Sequence, residues 1–190
     1  MSIEEVALQL FADEGYSNTT VESLAAASGV SKTTFFRYFR SKSDIVWGVF
    51  DRHIDRLRAI MAASDNAVPM TAVRLAVVSA LTADTDEDGV WLARFRLLDT
   101  SPELRKEALA HWHAWALVVA EFVGGRTGHR TEDLGPAAVG AAVQAVVVAE
   151  LRNGVNESMP PRDLIARLDA ELVPLCEALQ HWLDSTVDPR

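Results

Sequence analysis

Two places in this chain gather side chains able to do chemistry, and they ask for different partners. The stretch from Gly29 to Ser43, GVSKTTFFRYFRSKS, carries Lys32, Arg37, Arg40 and Lys42 beside Phe35, Phe36, Tyr38 and Phe39, with no aspartate or glutamate. Clustered cations of one sign suit a polyanion. The whole chain has formal net charge -9, so its overall field opposes nucleic acid and only such a local concentration reverses that. The second place is HWHAW, residues 111–115. His111 and His113 lie two apart on a helix and point in different directions, so they are not the i, i+4 pair that holds one metal ion. Cys176 is the single cysteine and has no CxxC partner; it reads as a small buried hydrophobe. There is no GxSxG, no phosphate-binding glycine loop and no HExxH. No catalytic residue, metal or cofactor is therefore expected.

The elements that must position these groups read as helices throughout. IEEVALQLFADEGY puts Ile3, Val6, Ala7, Leu10 and Phe11 on one helical face, and Gly15 stops it. Thr20 caps a short helix over VESLAAA, Gly29 permits a tight turn, and Ser31 caps a third helix, KTTFFRYF. A longer fourth helix begins at Ser41 or Ser43 and runs through DIVWGVFDRHIDRLRAIMAA. Further helices are expected over 71–81, 87–98, 102–123, 135–152 and 162–183, divided by SDNAVP, TADTDEDG, the Gly124-Gly125 pair and NGVNESMPP. The fold class is all-α, with about nine helices. Hydrophobic residues make up 49% of the 190, enough to bury the core of one large domain or two small ones. No run looks long enough to cross a membrane, because Glu121 interrupts 116–123 and Gly140 and Gln144 interrupt 137–149. The start, MSIEEVALQL, lacks the basic opening of a secretory signal, and a lone cysteine forms no internal disulfide, so a cytoplasmic location is expected.

Helix, glycine turn, capped helix is the arrangement of a helix-turn-helix, whose second helix enters the DNA major groove. Lys32, Thr33, Thr34 and Arg37 are then the groove-facing residues, Phe35 and Phe39 fill the interior, and Ser41 and Lys42 hold phosphates. LFADEGY, TTVESLAAASGVS and TTFFRYFRSKSDI together resemble the tetracycline-repressor-like (TetR) regulators over Ile3 to about Phe50. Phe36, Tyr38 and Arg40 stand where that family commonly has tyrosine, histidine and proline. The resemblance implies a DNA-binding domain over 1–46, contacting double-stranded operator DNA, and an effector-binding and dimerising domain over 47–190. It brings Thr20, Ser31 and Tyr38 into the candidate DNA-binding set with Lys32, Thr33, Thr34, Arg37 and Lys42. SKSDIVWGVFDRHI is further similar to the subgroup of regulators attached to mycofactocin gene clusters, which implies a fatty acyl-coenzyme A type of effector.

By the same resemblance, the helices bearing Trp91, Phe95, His111, Trp112 and Trp115 surround an effector cavity, and Trp47, Arg94 and Leu98 join the candidate ligand set. Arg94 and Arg96 are the anchors available to an anionic ligand. Gly140, Ala141, Ala142 and Ala145 let another helix approach closely, and Leu164, Ile165, Leu168, Leu172, Leu175 and Leu179 form an apolar stripe. These last two helices can build a four-helix interface across a two-fold axis, giving a homodimer. Two other classes compete with the repressor reading: a helical small-molecule-binding enzyme and a protein-interaction scaffold, each with an idle helix-turn-helix.

Overall fold

The computed structural model describes residues 2–85 and 90–186, and among them are nine helices and no strand. They are α1 (Ile3–Glu14), α2 (Val21–Ala27), α3 (Lys32–Tyr38), α4 (Asp44–Ala62), α5 (Pro69–Asp84), α6 (Val90–Thr100), α7 (Pro102–Thr127), α8 (Leu134–Asn156) and α9 (Pro161–Thr186). The start signals act chemically. Ser2 and Glu5 make a reciprocal capping box on α1, Thr20 and Ser23 do so on α2, and the Ser31 side chain accepts the Thr34 N–H on α3. At α4 the work falls to Ser41 rather than Ser43: its Oγ accepts the Asp44 N–H at 3.1 Å.

Helix α1 packs on α2, and α2 on α3, around Phe11, Tyr16, Leu24 and Phe35. Helices α7 and α8 form the most extensive pair in the remainder, α9 lies across α5 and α8, and α6 touches α7, α8 and α1. Helix α4 follows the three short helices and packs on α5 and α7, with Ile45, Val46 and Trp47 buried at its start and His53, Ile54, Leu57 and Met61 further along, and its Arg52 pairs with Glu4 of α1.

Two expectations need correction. Helix α7 does not stop near Val123 but runs through both glycines to Thr127, ending at Gly128 with φ 73. Gly124 is needed for close approach rather than for termination, since a Cβ there would lie 2.8 Å from the His129 carbonyl as the chain turns back. Helix α8 is long and apolar enough to cross a membrane by length and composition, with mean hydropathy 1.7 over its best window. Gly140 and Gln144 interrupt the run without bringing its average below what a span needs. Val139, Val143, Val147 and Leu151 are buried along one side, where α8 packs on α7 and α9.

The sequence expectation for Gly140 also changes sense. A Cβ there would stand 2.4 Å from the Ala116 carbonyl, so this glycine lets α7 and α8 touch within one chain. Leu164, Leu168 and Leu172 are likewise consumed inside the subunit, and burial pushes the nearby Cys176 thiol up to about 11. Alanine in place of a helical glycine gains up to about 1 kcal/mol from propensity alone. Gly125→Ala, which meets nothing within 4 Å, should therefore gain stability. Gly140→Ala should instead lose about 1–3 kcal/mol by overpacking, and urea unfolding of the two variants will show opposite signs.

Candidate functional site

The basic segment forms a compact surface on α2, the turn and α3. Gly29 has φ 66, a left-handed value that suits glycine, and the Val30 N–H reaches the Ala25 carbonyl at 2.9 Å. Phe35 is fully buried and packs on Phe39 at 5.4 Å between ring centroids, so α3 is held by its inner rings. Thr20, Ser31, Lys32, Thr33, Arg37 and Tyr38 are exposed, and Thr34 is half-buried with its hydroxyl 2.9 Å from Ser31. The structure thus leaves seven of the eight candidate DNA residues exposed or half-buried on α3 and the caps of α2 and α3. Sequence reasoning assigned Phe36 no DNA role, yet it is 46% exposed beside Tyr38 at 59%. Lys32 is paired with Glu22 of α2, a partner invisible to a count confined to 29–43. That hydrogen bond holds the Glu22 carboxyl below its usual range. The Arg37 guanidinium lies over the Tyr38 ring at 5.1 Å.

Lys42 is the exception. Its ammonium donates to the Tyr16 carbonyl at 2.7 Å and the Thr19 carbonyl at 3.1 Å, covers the Tyr16 ring at 4.0 Å, and stands 3.8 Å from Glu103 in the first turn of α7. Burial, with Glu107 and Glu103 close by, pushes the Tyr16 phenol well above its ordinary value. Lys42 thereby staples the α1–α2 loop to the start of α7. Lys42→Met should lower the unfolding free energy by about 1–3 kcal/mol, the worth of charged hydrogen bonds. It should leave the salt slope of DNA binding unchanged, whereas a phosphate contact would reduce that slope by about one.

A second site lies between α4, α6, α7 and α8. An apolar cavity of about 40 Å³ is lined by Val46, Val49, Phe50 and His53, by Leu81, by Arg94, Phe95 and Leu98, by Trp112 and Trp115, and by Val147 and Leu151. Phe50 meets Trp112 edge-on at 4.7 Å, and Trp112 is 5.9 Å from Phe95 and 6.3 Å from Trp115. Five of the candidate ligand residues, Arg94, Phe95, Leu98, Trp112 and Trp115, are brought together here. Trp47 and His111 are not. Their rings stack on one another at 4.1 Å and 4°, with His111 Nδ1 2.8 Å from Asp51, in a separate polar recess beside Arg40 and Glu107. Helix rotation explains this, because Trp47 and His111 sit about 100° from Val46 and Trp112 on their own helices. Trp91 is on α6, and its side chain lies outside the described residues. Arg96, the other candidate anchor, is exposed and does not line the cavity.

His53 was missed, although Val46, Val49, Phe50 and His53 follow the i, i+3, i+4, i+7 spacing of a single face. It is 6% exposed, and its Nε2 accepts the Trp115 indole N–H at 3.2 Å. An indole only donates, so the ring proton sits on Nδ1, which meets Asp84 at 2.5 Å. Arg56 completes the chain at 3.1 Å from Asp84. The polar atoms behind the cavity are thus satisfied by one another, leaving an apolar and aromatic wall with Arg94 at its edge.

A helix-turn-helix on a helical body that encloses an apolar cavity defines the class of a DNA-binding transcription regulator. Residues 3–47 match the family described as bacterial regulatory proteins, tetR family, and residues 67–180 match the MftR C-terminal domain. The chain belongs to the TetR family and carries the C-terminal domain of its mycofactocin-regulator branch. It is 32% identical over 156 residues to a Mycobacterium tuberculosis protein that bears the name mycofactocin biosynthesis transcriptional regulator MftR, covering 82% of this chain and 79% of that one. The fold is shared with a complex of SmeT and triclosan, at TM-score 0.68 and 16% identity over 93% of this chain and 88% of that one. It is shared also with FadR from Bacillus subtilis in complex with stearoyl-CoA, at TM-score 0.59 and 19% identity over 90% of this chain and 96% of that one.

Proposed function

We propose that the protein is a ligand-responsive repressor that binds a palindromic operator as a homodimer and is released by an apolar small molecule, a fatty acyl-coenzyme A. The observation that carries this reading is the double use of α4. Its face of Val46, Val49, Phe50 and His53 lines the cavity, while Ile45 and Trp47, between and beside them, are buried at the start of the same helix. A molecule that forces the cavity open displaces the helix on which residues 1–46 are mounted. Two recognition helices must lie about 34–36 Å apart to enter successive major grooves, so a small tilt of α4 is enough to spoil the fit. Residues 47–190 supply the effector site and the dimer contact. On α8, Ala137, Ala141, Ala145 and Ala149 are exposed at i, i+4 spacing, and on α9 Ala166, Ala170 and Val173 are exposed. A second copy packed along these two helices would cover them. The protein acts in the cytoplasm, and no membrane, metal or cofactor enters the mechanism.

An acyl chain suits the cavity wall because it needs buried apolar area and no internal hydrogen-bond partner, and each buried methylene contributes about 0.8 kcal/mol. At about 40 Å³ the cavity is far below the roughly 300 Å³ of a small ligand pocket, so the ligand must part the rings around Trp112. The similarity in fold to a FadR holding stearoyl-CoA is consistent with this. Release of the DNA flanking the protein's own gene, followed by fluorescence anisotropy against saturated acyl-coenzyme A esters, tests the reading. Potency should rise up to about fourfold per methylene and then level off when the cavity is full. If no length releases DNA and a planar polycyclic aromatic does, the effector is of the drug type instead.

Sequence reading is assigned to Lys32, Thr33, Thr34 and Arg37, with Thr20, Ser31 and Tyr38 at the edge of the contact. Arg37→Ala should cost about 1–3 kcal/mol on the operator and much less on random duplex, as expected for an arginine paired with guanine. Equal losses on both DNAs would move Arg37 to the phosphate class.

A further inference from the structure

Glu4 joins the first turn of α1 to two other helices. Its Oε1 is 3.0 Å from Nη2 of Arg52 on α4, and its Oε2 is 3.4 Å from Nη2 of Arg94 on α6. Arg94 is the same residue that edges the cavity, and it is the only arginine or lysine among the described lining residues. Its side chain is 15% exposed and that of Glu4 26%, so the pair sits where solvent screens it only in part. A guanidinium drawn out of water this far requires an anionic or hydrogen-bonding partner, and Glu4 supplies a carboxylate.

We propose that Glu4 occupies the place of the effector's own anionic group: the effector is an apolar body ending in a carboxylate or phosphate, and its anion takes Arg94 from Glu4. This rests on the reading of the cavity as the effector site and adds the ligand's polar chemistry and the means of its signal. The exchange has a direct mechanical result. Helix α1 packs on α2, which braces α3, so the carboxylate that leaves Arg94 belongs to the DNA-binding unit itself. Binding of an anion at α6 therefore breaks the Glu4–Arg94 tie between α1 and α6 and leaves the Glu4 carboxylate on Arg52. A neutral ligand of the same length fills the cavity without breaking that tie.

The test uses the full-length protein with dodecanoate, dodecanoyl-coenzyme A and dodecanol, measured by calorimetry for binding and by anisotropy for operator release. In the wild type all three ligands should bind, and the anionic ones should release DNA further than dodecanol, which parts the rings but leaves the Glu4 tie in place. Glu4→Gln removes the internal competitor from a surface position. It should tighten binding of the anionic ligands about three- to tenfold, the range a partly screened ion pair supports, and leave dodecanol unchanged. Arg94→Gln should abolish the difference between anionic and neutral ligands, with circular dichroism confirming that the helices persist. A gain confined to the coenzyme A ester assigns the anion to phosphate, and one shared with dodecanoate assigns it to carboxylate. If Glu4→Gln alters all three ligands alike, or none of them while all still bind, the exchange is wrong and the cavity reading stands. If no ligand binds the wild type, the cavity reading fails and takes the exchange with it.

Discussion

The structure depends on one helix being buried from two sides. Helix α4 packs on α5 and α7 along its length, with Ile45 fully buried and Val46 and Trp47 nearly so at its start and His53, Ile54, Leu57 and Met61 buried further on, while Arg52 on its other side reaches Glu4 of α1. Close-packed interiors transmit displacement rather than absorb it, so neither half can repack without the other sensing it. The staple at Lys42 has the same effect, joining the Tyr16 and Thr19 carbonyls to the start of α7. The short helices also need this support. With seven residues each, α2 and α3 are too short to be stable alone, and their conformation comes from capping and from the rings beneath them.

The larger bundle divides its polar groups from its apolar ones with care. Arg56, Asp84, His53 and Trp115 satisfy one another in sequence behind the cavity wall. A buried imidazole or carboxylate left without such a partner would cost several kcal/mol, and His53 and Asp84 each have one. What remains is a wall of rings and branched aliphatics. Specificity in such a site comes from shape and from the few charges at its edge.

Much of the fold was legible because its signals are local. Ser2, Thr20, Ser31 and Ser101 each sit one residue before a helix and cap it with the side chain, and Pro102 opens α7. The candidate DNA surface was legible for the same reason, since α3 is barely two turns long and its inner and outer rings follow from spacing. The Lys32–Glu22 pair and the inward turn of Lys42 were not, because both partners come from other elements. In the cavity, residue type was a weaker guide than helical angle. Trp47 and His111 have the right chemistry, but they face the polar recess. Val46, Val49 and His53 have less obvious chemistry and face the cavity. The role of Gly140 was hidden because a small residue marks close approach without saying which helix approaches, and here it is α7.

The small volume of the cavity sets the concentration scale of any response. A molecule that fits only after the rings around Trp112 separate binds a state the free protein visits rarely, and its apparent affinity is lowered by that rare fraction. Under the proposed function, such a sensor would ignore traces of its effector and answer when the pool swells. Closed packing, seen this way, works as a filter against background, fixed by how reluctantly aromatic rings part rather than by how tightly they hold what enters.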